Sequence, residues 1–291
     1  MRTIRTPRHP RGAALALLVI ASLTACGEPD PPAVSPPAPV DQIAGPVGSL
    51  HVDDGGSGGG IPVVLVHGYA GNTEQWQAQL DHLRPGRRVV AFDLRGHGRS
   101  SAPAGNEYSV DAFASDIAAV VDSLKLERFV LVGHSMGGAA AIAYAAAHQD
   151  RVAGLVMVGT PGRTPPEQGK QMMAQIEANY DSVTTWYWNR LLTGAQPAVR
   201  DRVMAQMRSV PKEPSLVIIR ALSAYDPVPA LEGYPGPKLA IVTSQENGPN
   251  DLQNIVRGLP TRTIEQASHW MHMDKPEEFN RVLDAFLSTL P

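Results

Sequence analysis

Gly133, His134, Ser135, Met136 and Gly137 stand in a row between an apolar β-type run, Arg128 to Val132, and a small-residue helical stretch, Met136 to Ala147. A serine at a sharp strand-to-helix turn has its hydroxyl thrust out of the sheet, with a helix N-terminus behind it. That is where a nucleophile is useful. The flanking glycines fit the same reading, because so tight a turn leaves no room for Cβ atoms. A serine hydroxyl is a poor nucleophile at neutral pH and needs a base within hydrogen-bond reach. The chemistry to look for is covalent, with Ser135 attacking and one of the chain's nine histidines moving its proton.

Apolar β-type runs alternate with helical patterns around this turn, which predicts an α/β fold: a mostly parallel sheet flanked by helices. Strands are expected at Val47 to Val52, Pro62 to His67, Arg88 to Asp93, Arg128 to Val132, Val152 to Val158, Lys238 to Thr243 and Thr261 to Gln266. Helices are expected at Thr73 to Leu83, Val110 to Leu124, from Met136, near Asn250 to Arg257, and at Pro276 to Leu290. Between Pro161 and Pro235 the alternation stops and a proline-interrupted helical pattern takes over, with Met172, Met173, Ile176 and Tyr180 on one face. An insertion of this kind between two sheet strands predicts a helical lid over about residues 161–235. Trp186, Tyr187 and Trp188 fall inside it and invite reading as a wall for substrate, but at helical spacing their expected place is in the lid's own core.

The N-terminus reads differently. Arg2, Arg5, Arg8 and Arg11 make a positive head, and Ala13 to Leu23 an apolar run too short for a stable membrane span. Leu23, Thr24, Ala25 and Cys26 resemble the cleavage box of bacterial lipoproteins. The resemblance implies that residues 1–25 are a signal peptide, that Cys26 is lipidated, and that the chain is exported and anchored on the periplasmic or cell-surface side of a bacterial membrane. Cys26 is the only cysteine, so no intramolecular disulfide can form. Residues 26–46, rich in Pro, Ala and Val, read as an extended tether, and 47–291 as one α/β domain. The formal net charge is −3 and no basic run follows the signal region, which argues against nucleic acid as a partner.

Four motifs together resemble the α/β-hydrolase family across about Val47 to Pro291. They are His67-Gly68-Tyr69 after one strand, Asp93 to Ser100 after the next, the turn at Ser135, and Ser268-His269-Trp270 before Lys275 to Phe279. The resemblance implies Ser135 as nucleophile, His269 as its base, and an oxyanion hole made by the backbone N–H groups of Met136 and Tyr69. It leaves the side chain of Tyr69 open between walling an acyl pocket and simple packing. His67, His97 and His134 lie inside loop motifs and are expected to be structural, and so is the Asp93 to Ser100 loop.

The third member of the triad departs from the family's pattern. Where an Asp is usual the direct alignment places Asn247, which can orient an imidazole but cannot stabilise an imidazolium by charge. Glu246, one residue away with a longer side chain, is the expected acid, and Asp251, a few residues on, the alternative. The function implied is serine hydrolysis of an ester-like bond in a small molecule, with no metal-ligand spacing and no cofactor required. Perhydrolase and carbon–carbon bond hydrolase chemistry use the same turn and stay open. So does a hydrolase-fold binding lipoprotein that has lost catalysis, motivated by the missing Asp. Oligomeric state is not readable.

Overall fold

A computed structural model describes residues 41–291; Cys26, the signal segment and the tether up to residue 40 lie outside the described residues. The chain opens with a hairpin, β1 (Gln42–Gly45) and β2 (Gly48–Gly55), then runs through β3 (Gly60–Val66), α1 (Gln77–Leu83), β4 (Arg87–Phe92), α2 (Val110–Ser123), β5 (Phe129–His134), α3 (Met136–Ala147) and β6 (Val152–Val158). Helices α4 (Pro166–Ala178), α5 (Tyr180–Leu191), α6 (Pro197–Ser209), α7 (Lys212–Ala224) and α8 (Val228–Gly233) follow, filling the span read as a lid. The sheet resumes with β7 (Lys238–Thr243), and α9 (Leu252–Ile255), β8 (Thr261–Ile264), α10 (Met271–Asp274) and α11 (Pro276–Leu287) complete the chain.

Eight strands form one sheet in the order β1-β2-β4-β3-β5-β6-β7-β8. β1 with β2 and β2 with β4 pair antiparallel, and the remaining neighbours are parallel. The central strands are apolar on both faces because helices cover both. Val64, Val66 and Leu131 point into the core under α2 and α3, while Val63, Leu65, Val130 and Val132 point into the core under α1 and α11. Each buried Val or Leu contributes about 1.5–3 kcal/mol relative to exposure. Lid residues Leu192, Val203, Met207 and Ile218 join the first of these cores, so the lid is packed onto the sheet domain.

Strand order places the site. From β3 the chain winds outward to β4, then returns past β3 to β5, so the winding reverses between β3 and β5. In open α/β sheets a crevice forms at the carboxyl ends of the strands at such a reversal. Tyr69 follows β3 and Ser135 follows β5, one on each side of that crevice.

Several boundaries differ from the sequence reading. β1 lies within residues 26–46, expected to be tether. Only Ile43 of this four-residue strand is buried, too little alternation to notice, and Pro46 sits in the hairpin turn, where proline is favoured. The helix expected near Asn250 to Arg257 is a single turn, α9, and the short α10 was not anticipated at all.

Candidate active site

Ser135 occupies the turn between β5 and α3 with φ 51° and ψ −113°, a backbone conformation that non-glycine residues rarely adopt. Its own amide donates to the Val158 carbonyl at 2.8 Å, and its carbonyl accepts from Gly138 and Ala139 at 2.9 and 3.1 Å. The turn is therefore held from both sides while the hydroxyl projects outward. Gly137 shows how tight the packing is: a Cβ there would lie 2.4 Å from the His67 carbonyl oxygen. Among the described residues the Ser135 hydroxyl makes no hydrogen bond, and it lines a cavity with His269.

His269 stands in the loop between β8 and α10. Its amide donates to the Leu191 carbonyl at 3.0 Å, and its carbonyl accepts from His134 Nε2 at 3.0 Å. His269 Nδ1 bonds to Glu246 Oε1. A carboxylate only accepts, so the proton sits on Nδ1 and Nε2 is left as the basic nitrogen. The other carboxylate oxygen, Glu246 Oε2, accepts from the Thr243 amide at 2.9 Å, tying the acid to the end of β7. Gly159, after β6, makes room for this pair: its φ is +53°, and a Cβ would sit 3.0 Å from Glu246 Oε1 and from His269 Nδ1.

The other two residues weighed for the acid position do not contact His269. Asn247 Oδ1 accepts from Asn254 at 3.0 Å. Asp251 is a correction to the alternative reading, since its Oδ2 accepts from the Gly248 amide at 2.6 Å and so closes its own turn. Burial raises the Asp251 carboxyl above its ordinary range, which the Gly248 bond opposes. Glu246 reaches His269 because its extra methylene spans the one-residue offset from Asn247.

Met136 and Tyr69 present backbone N–H groups that find no acceptor among the described residues. Met136 is the first residue of α3, where unpaired amides and the helix dipole favour negative charge. Together with Ser135 and His269, Tyr69 lines a largely apolar cavity of about 330 Å³ roofed by Ile176, Trp188 and Leu222 of the lid. The tyrosine ring is both wall and packing surface, stacked on Trp188 with centroids 5.2 Å apart at 11°. The aromatic cluster expected in the lid's core is instead at the cavity. Trp188 is half-buried against it, and Trp186 and Tyr187 border it while 61% and 41% exposed.

The remaining motif residues are braces. His67 donates from Nδ1 to the Gly68 carbonyl at 2.7 Å and accepts the Leu94 amide on Nε2 at 3.0 Å; burial lowers its pKa to about 4, so it is neutral. His97 donates to the Arg95 carbonyl at 2.9 Å, and burial lowers it to about 3. Asp93 accepts from the Thr73 and Arg99 amides at 2.7 and 2.8 Å, pinning its loop to the segment that follows β3. Arg95 pairs with Asp116 at 2.7 Å in the interior. His134 is held neutral by burial first and by His269 and His272 second; its bond to the His269 carbonyl went unnoticed in the sequence, where nothing links the two loops.

The profile of the alpha/beta hydrolase fold family matches residues 61–191. A Caulobacter segnis protein assigned by name as a carbamate hydrolase is 31% identical over 242 residues, covering 77% of this chain and 90% of its own. The chain belongs to the α/β-hydrolase family. This α/β-hydrolase is also 42% identical to a non-heme haloperoxidase of Rhodococcus erythropolis over 124 residues, 42% of each chain. Its fold matches a solved thermophilic esterase from Thermogutta terrifontis with a TM-score of 0.70 at 26% identity, covering 85% of this chain and 97% of that one. Among the described residues of the hydrolase, no cluster of three metal-ligating side chains occurs and no helix is long and apolar enough to cross a membrane.

Proposed function

We propose that this chain is a serine hydrolase of small, uncharged carboxylic esters, acting through an acyl-enzyme. Ser135 Oγ adds to the ester carbonyl carbon while its proton passes to His269 Nε2. The carbonyl oxygen takes the negative charge against the N–H groups of Met136 and Tyr69, each such donor worth about 3–4 kcal/mol of barrier. The carbon–oxygen bond to the alcohol then breaks, and the alcohol leaves with the proton from Nε2. Water adds to the acyl carbon, gives a proton to Nε2, and the acid departs as Ser135 regains its own. Glu246 stays ionised throughout and stabilises the imidazolium. Every bond broken is matched by one formed, and the sum is ester plus water to acid plus alcohol.

The observation that carries this reading is the bond between Glu246 and His269, which sets the tautomer that leaves Nε2 basic beside the Ser135 cavity. It also weighs against the binding-lipoprotein alternative, whose motive was a missing acid. A fluorophosphonate probe tests it: the wild-type chain takes the label and Ser135→Ala does not. An unlabelled wild type, with no turnover of a p-nitrophenyl ester, removes the proposal.

The Rhodococcus likeness supports a second outcome of the same acyl-enzyme, interception by hydrogen peroxide in place of water to give a peracid. Peracid formation from acetate esters, measured beside hydrolysis, separates the two. We propose in addition that Cys26 carries a lipid anchor in an exported protein. The reading rests on residues outside the described ones, and labelled palmitate that is incorporated in the wild type and lost in Cys26→Ala is its test.

A further inference from the structure

Tyr69 does two things at once. Its amide, like that of Met136, is unpaired among the described residues, and its side chain leaves the sheet domain and enters the lid. The phenol donates to Ser215 Oγ at 2.8 Å, a bond between residues 146 positions apart. Ser215 is fully buried in the first turn of α7, and Tyr69 is 7% exposed. The ring stacks on Trp188 of α5. From below, the same turn is held by the His67 bond to the Gly68 carbonyl and by the Gly71 amide, which donates to that carbonyl at 3.0 Å. Ala70, next in line, has φ 58°, so the backbone leaves Tyr69 through an unfavourable conformation that surrounding contacts must maintain.

A short loop fixed at its base and at its tip has little freedom in between. At the tip the hydroxyl and one ring face meet lid residues, Ser215 and Trp188, from two different helices, while the ring's edge meets His97 of the sheet domain at 6.2 Å. An oxyanion donor works only if its N–H is already aimed where charge will develop, and small misdirections are costly. We propose that the Tyr69 side chain is a positioning residue: through Ser215 and Trp188 the lid sets the direction of the Tyr69 N–H, so that lid seating and oxyanion stabilisation are one event. The inference rests on the acyl-enzyme reading above and assigns Ser215, which does not line the cavity, a kinetic role.

Two variants and two substrates test it. Tyr69→Phe keeps the ring and its stacking but removes the hydroxyl, and Ser215→Ala removes the acceptor without touching the loop. Each is assayed on p-nitrophenyl butyrate and on its thiono analogue, whose developing sulfur anion accepts hydrogen bonds poorly. Loss of positioning lowers kcat on the oxygen ester by about tenfold in either variant, a fraction of what removing a donor outright costs. KM changes less than about twofold, and the thiono ester slows by less than about twofold, so the oxygen-to-sulfur rate ratio falls. The double variant is no worse than either single one, because both remove the same bond. A merely structural bond lowers the thermal midpoint and leaves the ratio where it was; an unchanged ratio, or equal losses on both esters, overturns the proposal. If the wild type turns over neither ester and takes no fluorophosphonate, the acyl-enzyme reading itself has failed.

Discussion

Glu246 and Thr243 bond to each other twice: the Glu246 amide donates to the Thr243 carbonyl at 3.1 Å, and Glu246 Oε2 accepts from the Thr243 amide at 2.9 Å. The side chain is thereby folded back onto the end of β7, and only Oε1 remains for His269. Replacing Glu246 with Gln removes the charge opposite the imidazolium and permits the wrong tautomer. The expected loss in kcat on a short p-nitrophenyl ester is about a thousandfold. Asp251→Asn, in a residue engaged with Gly248, is expected to stay within about twofold of wild type. Reversed magnitudes for the two variants would reassign the acid.

Backbone strain at Ser135 yields a stability prediction of opposite sign to its effect on activity. A non-glycine residue held at φ 51° costs of order 1–3 kcal/mol. Glycine adopts that conformation freely but loses more chain entropy on folding. Ser135→Gly is expected to be inactive yet more stable by about 1 kcal/mol, read from the urea midpoint at unchanged m-value. A less stable variant contradicts the strain argument.

Gly159 is where the acid and the base leave no space. Gly159→Ala places a methyl group 3.0 Å from both Glu246 Oε1 and His269 Nδ1 at a positive φ. The pair must separate, and kcat is expected to fall by about 10- to 100-fold with a smaller change in KM. Steady-state kinetics check this, and a variant with wild-type kcat would show that the Glu246–His269 contact is dispensable.

Acid will destabilise the fold through buried histidines. Burial lowers His67 to about 4 and His97 and His272 to about 3, against about 6.5 in an unfolded chain. Between those limits the unfolded state binds more protons, so stability is full above about pH 6.5 and declines as pH falls toward 4. Each histidine contributes at most about 1.4 kcal/mol per pH unit to that slope. His272 is fully buried, with neither ring nitrogen bonded to another described residue, and lies 4.3 Å from Trp76 ring to ring. His272→Phe is expected to reduce the slope by one proton between pH 6 and 5, measured by urea denaturation at each pH. An unchanged slope would mean that His272 carries a proton in the native state.

What could be read from the sequence follows from which interactions are local. The Ser135 turn was legible because strand, glycines and helix are consecutive and each is forced by the others. The sheet was legible because strands covered on both faces are unbroken apolar runs. His269 came only with the order of the family's motifs, and the acid only as a short list, because a one-residue offset can be absorbed by a longer side chain and sequence does not show side-chain reach. The Ser215 hydroxyl and the His134 contact with His269 were invisible, since each joins segments more than a hundred residues apart, and the Thr243 amide was invisible because a local side-chain bond depends on a rotamer. The aromatic run at 186–188 was open to two readings for a related reason. Helical spacing says which residues share a face, but not that the face closes over a cavity.

The four tryptophans of the chain are all close to the proposed chemistry or directly behind it. Trp186 is open to water at the cavity rim, Trp188 is stacked on Tyr69, and Trp76 and Trp270 are sealed inside. The four indoles thus comprise one open to solvent, one half-buried and two shielded. A ligand entering beneath the lid must cover the first and disturb the second, so the chain carries an intrinsic optical readout of occupancy. Its natural substrate can be sought by titrating unlabelled compounds and watching the spectrum shift to the blue.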